Sequence, residues 1–211
     1  MLTEFLKISH ESIQKAGTAI QNGGLVVYPT DTVYGLGCDP FNEGAVGKLT
    51  SVKQRNKGSL PVLVDTLEKA RELGEIKGDA ETLALSFWPG PLTIVVPSNV
   101  EFPLQVVGPE RMIGLRIPRR EDTLELISKS GGSVVGTSAN VSGTQSLRQA
   151  EDVLKTFEGK VDVVLDGGSL STSGESTVVR SIEAGVQILR EGAISRAEIT
   201  AALKSTAAIQ H

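Results

Sequence analysis

The sequence is poor in the two residue types that most often perform covalent and metal chemistry. Its 211 residues include one cysteine, Cys38, and two histidines, His10 and His211, near opposite ends of the chain. A single cysteine excludes an internal disulfide and a cysteine-based zinc site, so Cys38 is predicted to be a small buried hydrophobic residue. The shortage of histidine argues against a histidine-dependent triad or a Cys–His pair. An enzyme with this inventory would work mainly by positioning substrates and stabilising charge.

Long apolar runs are also missing. No stretch approaches the length that crosses a membrane, and residues 1–4 lack the basic segment that opens a secretory signal. The sequence therefore predicts a soluble, cytoplasmic protein with no membrane partner. Aromatic residues are few as well: five phenylalanines, two tyrosines and one tryptophan. The chain thus offers little for the base stacking on which single-stranded RNA binders rely.

The formal net charge of −4 gives no overall attraction to nucleic acid. The basic residues are clustered, however, in two segments that contain no acidic residue. The clusters are Lys48, Lys53, Arg55 and Lys57, and Arg111, Arg116, Arg119 and Arg120. Each cluster is compatible with an anion-binding pocket or with a solvated face, and neither cluster on its own distinguishes these two possibilities. Lys53 and Arg55 fall outside the apolar periodicity of the preceding helix, so both are predicted to lie on a loop outside the core.

The stretch from Gly23 to Gly37, GGLVVYPTDTVYGLG, combines a buried strand with a polar loop. Residues 25–28 form a short apolar run after two glycines, which is typical of a buried strand, and Pro29 ends it. Residues 30–34 then present hydroxyls and a carboxylate at the carboxyl end of that strand, where open α/β sheets bind ligands. The pattern fits equally a polar turn whose hydroxyls bond their own backbone.

Helix and strand patterns alternate along the chain. Helices are predicted at residues 9–22, 42–52, 66–73, 79–87, 122–127, 146–157 and 195–203. Strands are predicted at residues 25–28, 61–64, 94–96, 113–117, 161–165, 177–179 and 186–189. This alternation predicts an α/β fold with one mixed, twisted, open sheet flanked by helices. No segment resembles an interdomain linker, so residues 1–204 are predicted to form one domain and residues 205–211 a C-terminal tail.

Several helix starts carry capping residues. Ser9 and Asn42 are predicted to cap the first two helices. Three pairs of residues are predicted to cap later helices through their side chains: Asp122 with Glu125, Ser146 with Gln149, and Ser195 with Glu198.

Three polar clusters follow strand patterns, at residues 30–34, 137–142 and 174–177. With the basic residues they predict a cleft lined by hydroxyls, amides and cations, because strand-end loops of an open sheet converge on one crevice. Such a cleft suits phosphate and carboxylate groups. The chain has neither a Walker A nor a Gly-x-Gly-x-x-Gly sequence, so a nucleotide would be held outside the commonest motifs. Thr93, at a strand entry after Pro91, is interpreted as structural.

Seven segments, in order, resemble the YrdC/Sua5 family: YPTDTVYGLG, KQR, WPGPLT, LRIP, TSANVSG, GESTVV and ILREGAI. The resemblance covers residues 10–203, and the ordered set is far more specific than any one segment. It implies a YrdC-like open, twisted α/β sheet with a large, concave, positively charged cavity. The second domain of the longer Sua5 type has no counterpart, so the short YrdC-like form is expected.

The resemblance also implies an activity, that of an L-threonylcarbamoyladenylate synthase. Such a nucleotidyltransferase makes threonylcarbamoyl-AMP and pyrophosphate from L-threonine, bicarbonate and ATP. This is the first step towards N6-threonylcarbamoyladenosine (t6A) at position 37 of tRNA. Mg²⁺ is expected to accompany ATP, and no metal site on the protein itself is implied.

Individual residues match family positions with known roles. The positions that hold L-threonine correspond to Thr32, Arg116, Ser138 and Ser176. Among these, Arg116 would take the carboxylate of the amino acid. The positions that hold ATP correspond to Lys53, Arg55, Ser59, Asn140, Arg148 and Arg190. Lys53 and Arg55, in the Lys-x-Arg motif, would hold the triphosphate and are the expected catalytic residues.

Two functions from different classes remain open. The first is the synthase, whose product would pass to a tRNA threonylcarbamoyl transferase complex. The second is an RNA-binding or ribosome-maturation module that uses the same concave basic surface and contacts RNA or tRNA directly. A third function, carbamoyl transfer as in the larger hydrogenase-maturation proteins, is disfavoured because their additional domains have no counterpart in the sequence.

Overall fold

The computed structural model describes residues 2–54, 58–171, 174–183 and 185–207. The strands in chain order are β1 (Glu4–Lys7), β2 (Val26–Tyr28), β3 (Gly35–Gly37), β4 (Val62–Val64), β5 (Leu92–Pro97), β6 (Met112–Arg116), β7 (Ser133–Val135), β8 (Thr137–Ser138), β9 (Val163–Asp166), β10 (Thr177–Ile182) and β11 (Gly185–Arg190). The helices are α1 (His10–Gln21), α2 (Glu43–Val52), α3 (Leu67–Leu73), α4 (Asp79–Phe87), α5 (Leu104–Val107), α6 (Glu121–Lys129), α7 (Ala150–Phe157) and α8 (Arg196–Ala207).

The described strands form two sheets, and not the single sheet that the sequence predicts. One sheet has the order β1-β9-β2-β3-β8 and the other the order β11-β10-β5-β6-β4-β7. Both contain parallel and antiparallel pairs, so the α/β class and the mixed sheet are confirmed. The sequence could not assign strands to sheets because strands such as β2 and β4 are buried along their whole length. An apolar strand of that kind looks the same in either sheet.

The two sheets adjoin closely at Gly37. The backbone N–H of Val135 donates to the carbonyl of Cys38 at 2.9 Å, which links the segment after β3 to β7. A Cβ atom at Gly37 would lie 2.4 Å from the carbonyl oxygen of Val135. Only glycine therefore permits this approach, which brings the loop after β2 over the second sheet.

One face of the six-stranded sheet packs against the larger apolar core. Leu92, Ile94 and Val96 of β5 and Ile113 and Leu115 of β6 are all fully buried in that core. Side chains alternate between the faces of a strand, so the intervening residues of β5 and β6 lie on the opposite face. This opposite face of the six-stranded sheet does not pack against that core, and it forms one side of a cavity.

The predicted helix caps are partly correct. Ser9 caps α1, Asn42 caps α2 by accepting from the N–H of Ala45 at 3.0 Å, and Glu198 bonds back to Ser195. The other two predicted capping pairs, Asp122 with Glu125 and Ser146 with Gln149, are wrong. Asp122 instead pairs with Arg120 at 2.7 Å, since α6 already begins at Glu121. The hydroxyl of Ser146 donates to Glu175 at 2.5 Å, since α7 begins only at Ala150.

Five of the described elements are not among the predicted helices and strands: β1, β3, β7, β8 and the short helix α5. β1 is only partly buried, yet it pairs in parallel with β9, so it is held by tertiary pairing more than by its own pattern. The predicted boundary between residues 204 and 205 falls inside α8. Residues 208–211 of the predicted tail lie outside the described residues. None of the described helices is long and apolar enough to cross a membrane.

Cys38 is buried as predicted, and burial raises the pKa of its thiol to about 12. A thiol with so high a pKa holds almost no thiolate at pH 8, and the thiolate is the reactive form. We expect the native protein to resist alkylation by iodoacetamide at pH 8 and to take up one equivalent after denaturation, measured by intact mass. Equal labelling rates for the native and the denatured protein would contradict this assignment.

Candidate functional site

A cavity of about 500 Å³ lies over the exposed face of the six-stranded sheet. Its floor comes from alternate residues of neighbouring strands. These are Thr93 and Val95 of β5, Met112, Gly114 and Arg116 of β6, and Val178 and Arg180 of β10. The walls come from loop and strand-end residues: Thr30, Thr32, Val33 and Gly35, then Gly58, Ser59, Pro61 and Leu63, then residues 107–110 and 136–138. The prediction that polar loops converge on one crevice is therefore confirmed, with the addition that the sheet itself forms the floor.

The strand register sets the polar residues of the floor side by side. Val178 of β10 pairs with Thr93 of β5 and with Arg190 of β11. Because β5 and β6 are antiparallel and Ile94 pairs with Leu115, Thr93 lies opposite Arg116. One row of the sheet thus runs from Arg190 to Arg116.

Arg116 is the most buried cation of the cavity, with 5% of its surface exposed. Its Nη2 bonds Asp31 Oδ1 at 2.5 Å, its Nη1 donates to Thr32 Oγ1 at 3.1 Å, and its Nε donates to the carbonyl of Gly90 at 2.9 Å. Burial lowers the pKa of Arg116, and the Asp31 carboxylate opposes that shift. The side chain lies on the face opposite Leu115, as the sequence predicts.

The Trp-Pro-Gly-Pro turn before β5 holds one acceptor for Arg116. The N–H of Gly90 donates to the carbonyl of Ile117 at 2.8 Å, and the indole N–H of Trp88 donates to the carbonyl of Leu92 at 2.7 Å. A Cβ atom at Gly90 would lie 2.3 Å from the carbonyl oxygen of Phe87, so the turn requires glycine here. The turn therefore fixes the guanidinium, although its residues contribute no charge.

The loop after β2 combines both of the roles that its sequence allows. Thr30 Oγ1 donates to the carbonyl of Val33 at 2.7 Å and accepts from the N–H groups of Thr32 and Val33. This local bonding gives the loop its shape. Thr30 and Thr32 also line the cavity. The loop consequently presents the Thr32 hydroxyl beside Arg116 in a fixed position.

Lys53 is not on a loop outside the core, and this prediction is wrong. Only 2% of its surface is exposed, and it follows directly after α2. Its ammonium donates to the carbonyl of Ser138, to the carbonyl of Asn140 at 2.8 Å and to Asn140 Oδ1 at 3.3 Å. The carbonyls of Ser138 and Asn140, at the end of β8 and just after it, point inward, and the buried ammonium donates to both. Lys53 and Asn140 are not among the lining residues; both support the cavity wall that Ser138 forms.

Ser176 and Arg190 meet at the other end of the row. The Arg190 guanidinium donates to the carbonyl of Ser176 at 2.8 Å and to its hydroxyl at 3.3 Å, and it also pairs with Glu175. The hydroxyl of Ser176 lies 3.1 Å from that of Thr93. Both hydroxyls are buried against the floor.

Six of the predicted site residues line this one cavity: Thr32, Ser59, Arg116, Ser138, Ser176 and Arg190. Arg148 is not brought to it. That residue is exposed before α7 and is not a lining residue. Arg55 lies outside the described residues, so its predicted role stays a prediction. Two residues of the cavity were not among the predicted site residues. The carboxylate of Asp31 was noted only as part of the polar loop, and Thr93 was interpreted as structural, although period-two alternation with Val95 was an available signal for it.

The charges of the described lining residues are nearly balanced. Arg180 pairs with Glu110, and Arg190 pairs with Glu175, which leaves Arg116 with its partner Asp31. Within the described ranges, no group of three or more His, Cys, Asp or Glu side chains could hold a metal ion. The described lining also contains no aromatic residue.

The fold and the motifs match a known family. The Sua5–YciO–YrdC family model, described as "Telomere recombination", matches residues 18–192. A threonylcarbamoyl-AMP synthase of Halorhodospira halophila is 33% identical over 181 residues, which are 84% of this chain and 94% of the relative. One from Pyrococcus abyssi is 36% identical over 195 residues. These are 92% of this chain but only 57% of that relative, so the chain spans little more than half its length.

A solved structure shares the fold almost completely. The crystal structure of P. abyssi Sua5 complexed with L-threonine superposes with a TM-score of 0.90 at 34% sequence identity. The matched region covers 96% of this chain and 61% of the P. abyssi chain.

Proposed function

The chain belongs to the Sua5–YciO–YrdC family, and from this premise we propose that it is a threonylcarbamoyl-AMP synthase. The observation that carries the proposal is the single cavity row from Arg190 to Arg116. Arg190 and Arg116 lie at the two ends of this row, and Ser176 and Thr32 bond them. Four residues for which the resemblance implies substrate contacts therefore line one cavity on one side of the sheet.

The proposed reaction has two steps. The amine of L-threonine combines with bicarbonate to give a carbamate and water. A carbamate oxygen then attacks the α-phosphorus of ATP, and pyrophosphate leaves. Neither step needs a nucleophilic side chain, which agrees with a site built of hydroxyls and guanidinium groups.

Arg116 is the proposed binding residue for the threonine carboxylate. Three of its five N–H groups are used by Asp31, Thr32 and Gly90 in the described structure. One N–H on each terminal nitrogen remains, which is the number that a carboxylate accepts from a guanidinium. Asp31 and Gly90 hold the group in place before substrate arrives, so binding orders little.

Arg190 is the proposed phosphate-binding residue at the other end of the row. Half of its side chain is exposed, so it can exchange Glu175 for a phosphate group without burying a new charge. We propose that Mg²⁺ enters with the ATP phosphates and needs no carboxylate cage on the protein. Bound Mg²⁺ would neutralise charge on the triphosphate during nucleotidyl transfer.

The RNA-binding alternative gains no support from the site. Proteins that bind single-stranded RNA stack bases on aromatic side chains, and the described lining of this cavity has none. We propose instead that the product is passed on, since a mixed anhydride of a carbamate and AMP is consumed by acyl transfer to an amine. A tRNA threonylcarbamoyl transferase complex is the proposed acceptor of this product.

The activity is tested by product analysis with ATP, ¹⁴C-bicarbonate and amino acids. We expect labelled AMP-linked product and pyrophosphate that require both L-threonine and bicarbonate. L-Serine should react less efficiently, by about fivefold to tenfold in kcat/KM, because the β-methyl group contributes roughly 1 kcal/mol in a shaped pocket. Pyrophosphate release that is the same with and without amino acid would rule the synthase out.

A further inference from the structure

Thr93 has a buried hydroxyl that faces the cavity. Its residue is 5% exposed and lies on the floor between Val178 and Arg116. Within the described residues, its hydroxyl bonds only the hydroxyl of Ser176, at 3.1 Å. A strand entry alone requires no hydroxyl here, because the backbone pairing of β5 does not use the side chain.

The bonds around Ser176 fix how many protons the pair can offer. A guanidinium only donates, so Ser176 Oγ accepts from Arg190 Nη2. Thr93 and Ser176 have two hydroxyl protons between them, and their mutual bond uses one. The second proton remains, whichever hydroxyl donates to the other. The two hydroxyls together therefore present one O–H donor to the cavity, and both are uncharged.

Arg190 also favours one direction for this bond. A hydroxyl that accepts from a cation becomes a better donor, because hydrogen bonds in a chain polarise one another. Ser176 then donates to Thr93, and the free proton lies on Thr93. This is the hydroxyl nearer to Arg116, its neighbour across β5 and β6.

We propose that Thr93 is a substrate-binding residue whose hydroxyl donates to the carboxylate that Arg116 holds. The inference rests on the proposed function, because it takes an α-amino acid as the occupant. It adds a hydroxyl donor to the two N–H groups that Arg116 offers. It also links Arg190, on the nucleotide side, to the amino-acid side through Ser176, so that one hydrogen-bonded chain spans both substrates.

The test is isothermal titration of L-threonine alone into the wild type and into Thr93→Val and Thr93→Ser. Valine keeps the shape of threonine and removes the hydroxyl. We expect Thr93→Val to raise the threonine Kd about tenfold, the loss of one hydrogen bond to a charged group. Thr93→Ser should stay within about twofold of the wild type, and the Kd for ATP should not change in either variant.

A matched control separates binding from folding. Thr123 is buried, and its hydroxyl donates to the carbonyl of Pro29 at 2.7 Å, away from the cavity lining. Thr123→Val should lower the melting temperature and leave the threonine Kd unchanged. Titration of L-2-aminobutyrate, which lacks the side-chain hydroxyl, identifies the substrate atom. An equal fold-loss for both ligands in Thr93→Val is expected for a carboxylate contact.

Several results would overturn the inference. An unchanged threonine Kd in Thr93→Val would remove Thr93 from the site, and a Thr93→Ser variant as weak as Thr93→Val would show that packing and not the hydroxyl matters. A loss confined to L-threonine would assign the contact to the substrate side chain. Failure of the wild type to bind L-threonine at all would instead overturn the proposed function, and this inference with it.

Discussion

Replacing Lys53 by methionine is expected to lower the melting temperature by about 6–12 °C. Methionine keeps most of the apolar stem and removes the ammonium. The Asn140 carbonyl then loses the only donor that the described residues give it, whereas the Ser138 carbonyl still accepts from the N–H of Asn140 at 3.0 Å. One unsatisfied buried acceptor costs about 1–3 kcal/mol, and the other lost bond to a charged donor adds to it, so the expected total is roughly 3 kcal/mol. Thermal unfolding followed by circular dichroism measures the change.

Lys48 supplies the matched control for this substitution. It lies on α2, the helix that Lys53 follows, and its side chain is exposed. Lys48→Met should change the free energy of unfolding by less than about 0.5 kcal/mol. The same samples are titrated with ATP. A Lys53→Met protein of normal stability that loses only ATP binding would show that Lys53 contacts nucleotide directly and that its buried bonds contribute little.

Lys53 also shows where sequence patterns stop being informative. A basic residue at the end of a helix, in a segment with other basic residues, has the pattern of a solvated face. Its burial depends on carbonyls that lie more than eighty positions later in the chain. No local periodicity contains that information, so the motif match could suggest a function for Lys53 but not its position in the fold.

Thr93 is a similar case on a strand. The strand predicted at residues 94–96 is confirmed, and Ile94 lies in the core. What the sequence could not supply was the register between β5, β6 and β10, which sets Thr93 beside Arg116 and Ser176. A hydroxyl at a strand entry was therefore interpreted as structural until the neighbouring strands were known.

The features that the sequence did predict rest on local physics or on the ordered motifs. The caps at Ser9 and Asn42, the buried strand after Gly24 and the orientation of Arg116 need only neighbouring residues. The convergence of six predicted site residues on one cavity was implied by the family motifs. The assignment of strands to two sheets needed tertiary structure, because β2 and β4 are apolar on both faces.

Arg116→Lys is expected to raise the threonine Kd by tenfold or more, with little change in the Kd for ATP measured alone. Lysine keeps the positive charge beside Asp31 but cannot offer two parallel N–H groups to a carboxylate. It also cannot bond Asp31, Thr32 and Gly90 at the same time, as Arg116 does. The lost charge-assisted bonding corresponds to about 1.5–3 kcal/mol. Separate titrations of L-threonine and ATP measure the two constants.

Two neighbouring arginines test whether position or charge matters. Arg119 is exposed and donates to the carbonyl of Pro89 at 2.9 Å, and Arg120 pairs with Asp122 at 2.7 Å. Neither lines the cavity, so Arg119→Lys and Arg120→Lys should bind L-threonine as the wild type does. If either were as damaging as Arg116→Lys, or if Arg116→Lys chiefly weakened ATP, the carboxylate would not be held by Arg116. The buried guanidinium of Arg116 would then serve to hold Asp31 and the Trp-Pro-Gly-Pro turn in place, because those are its partners in the described structure.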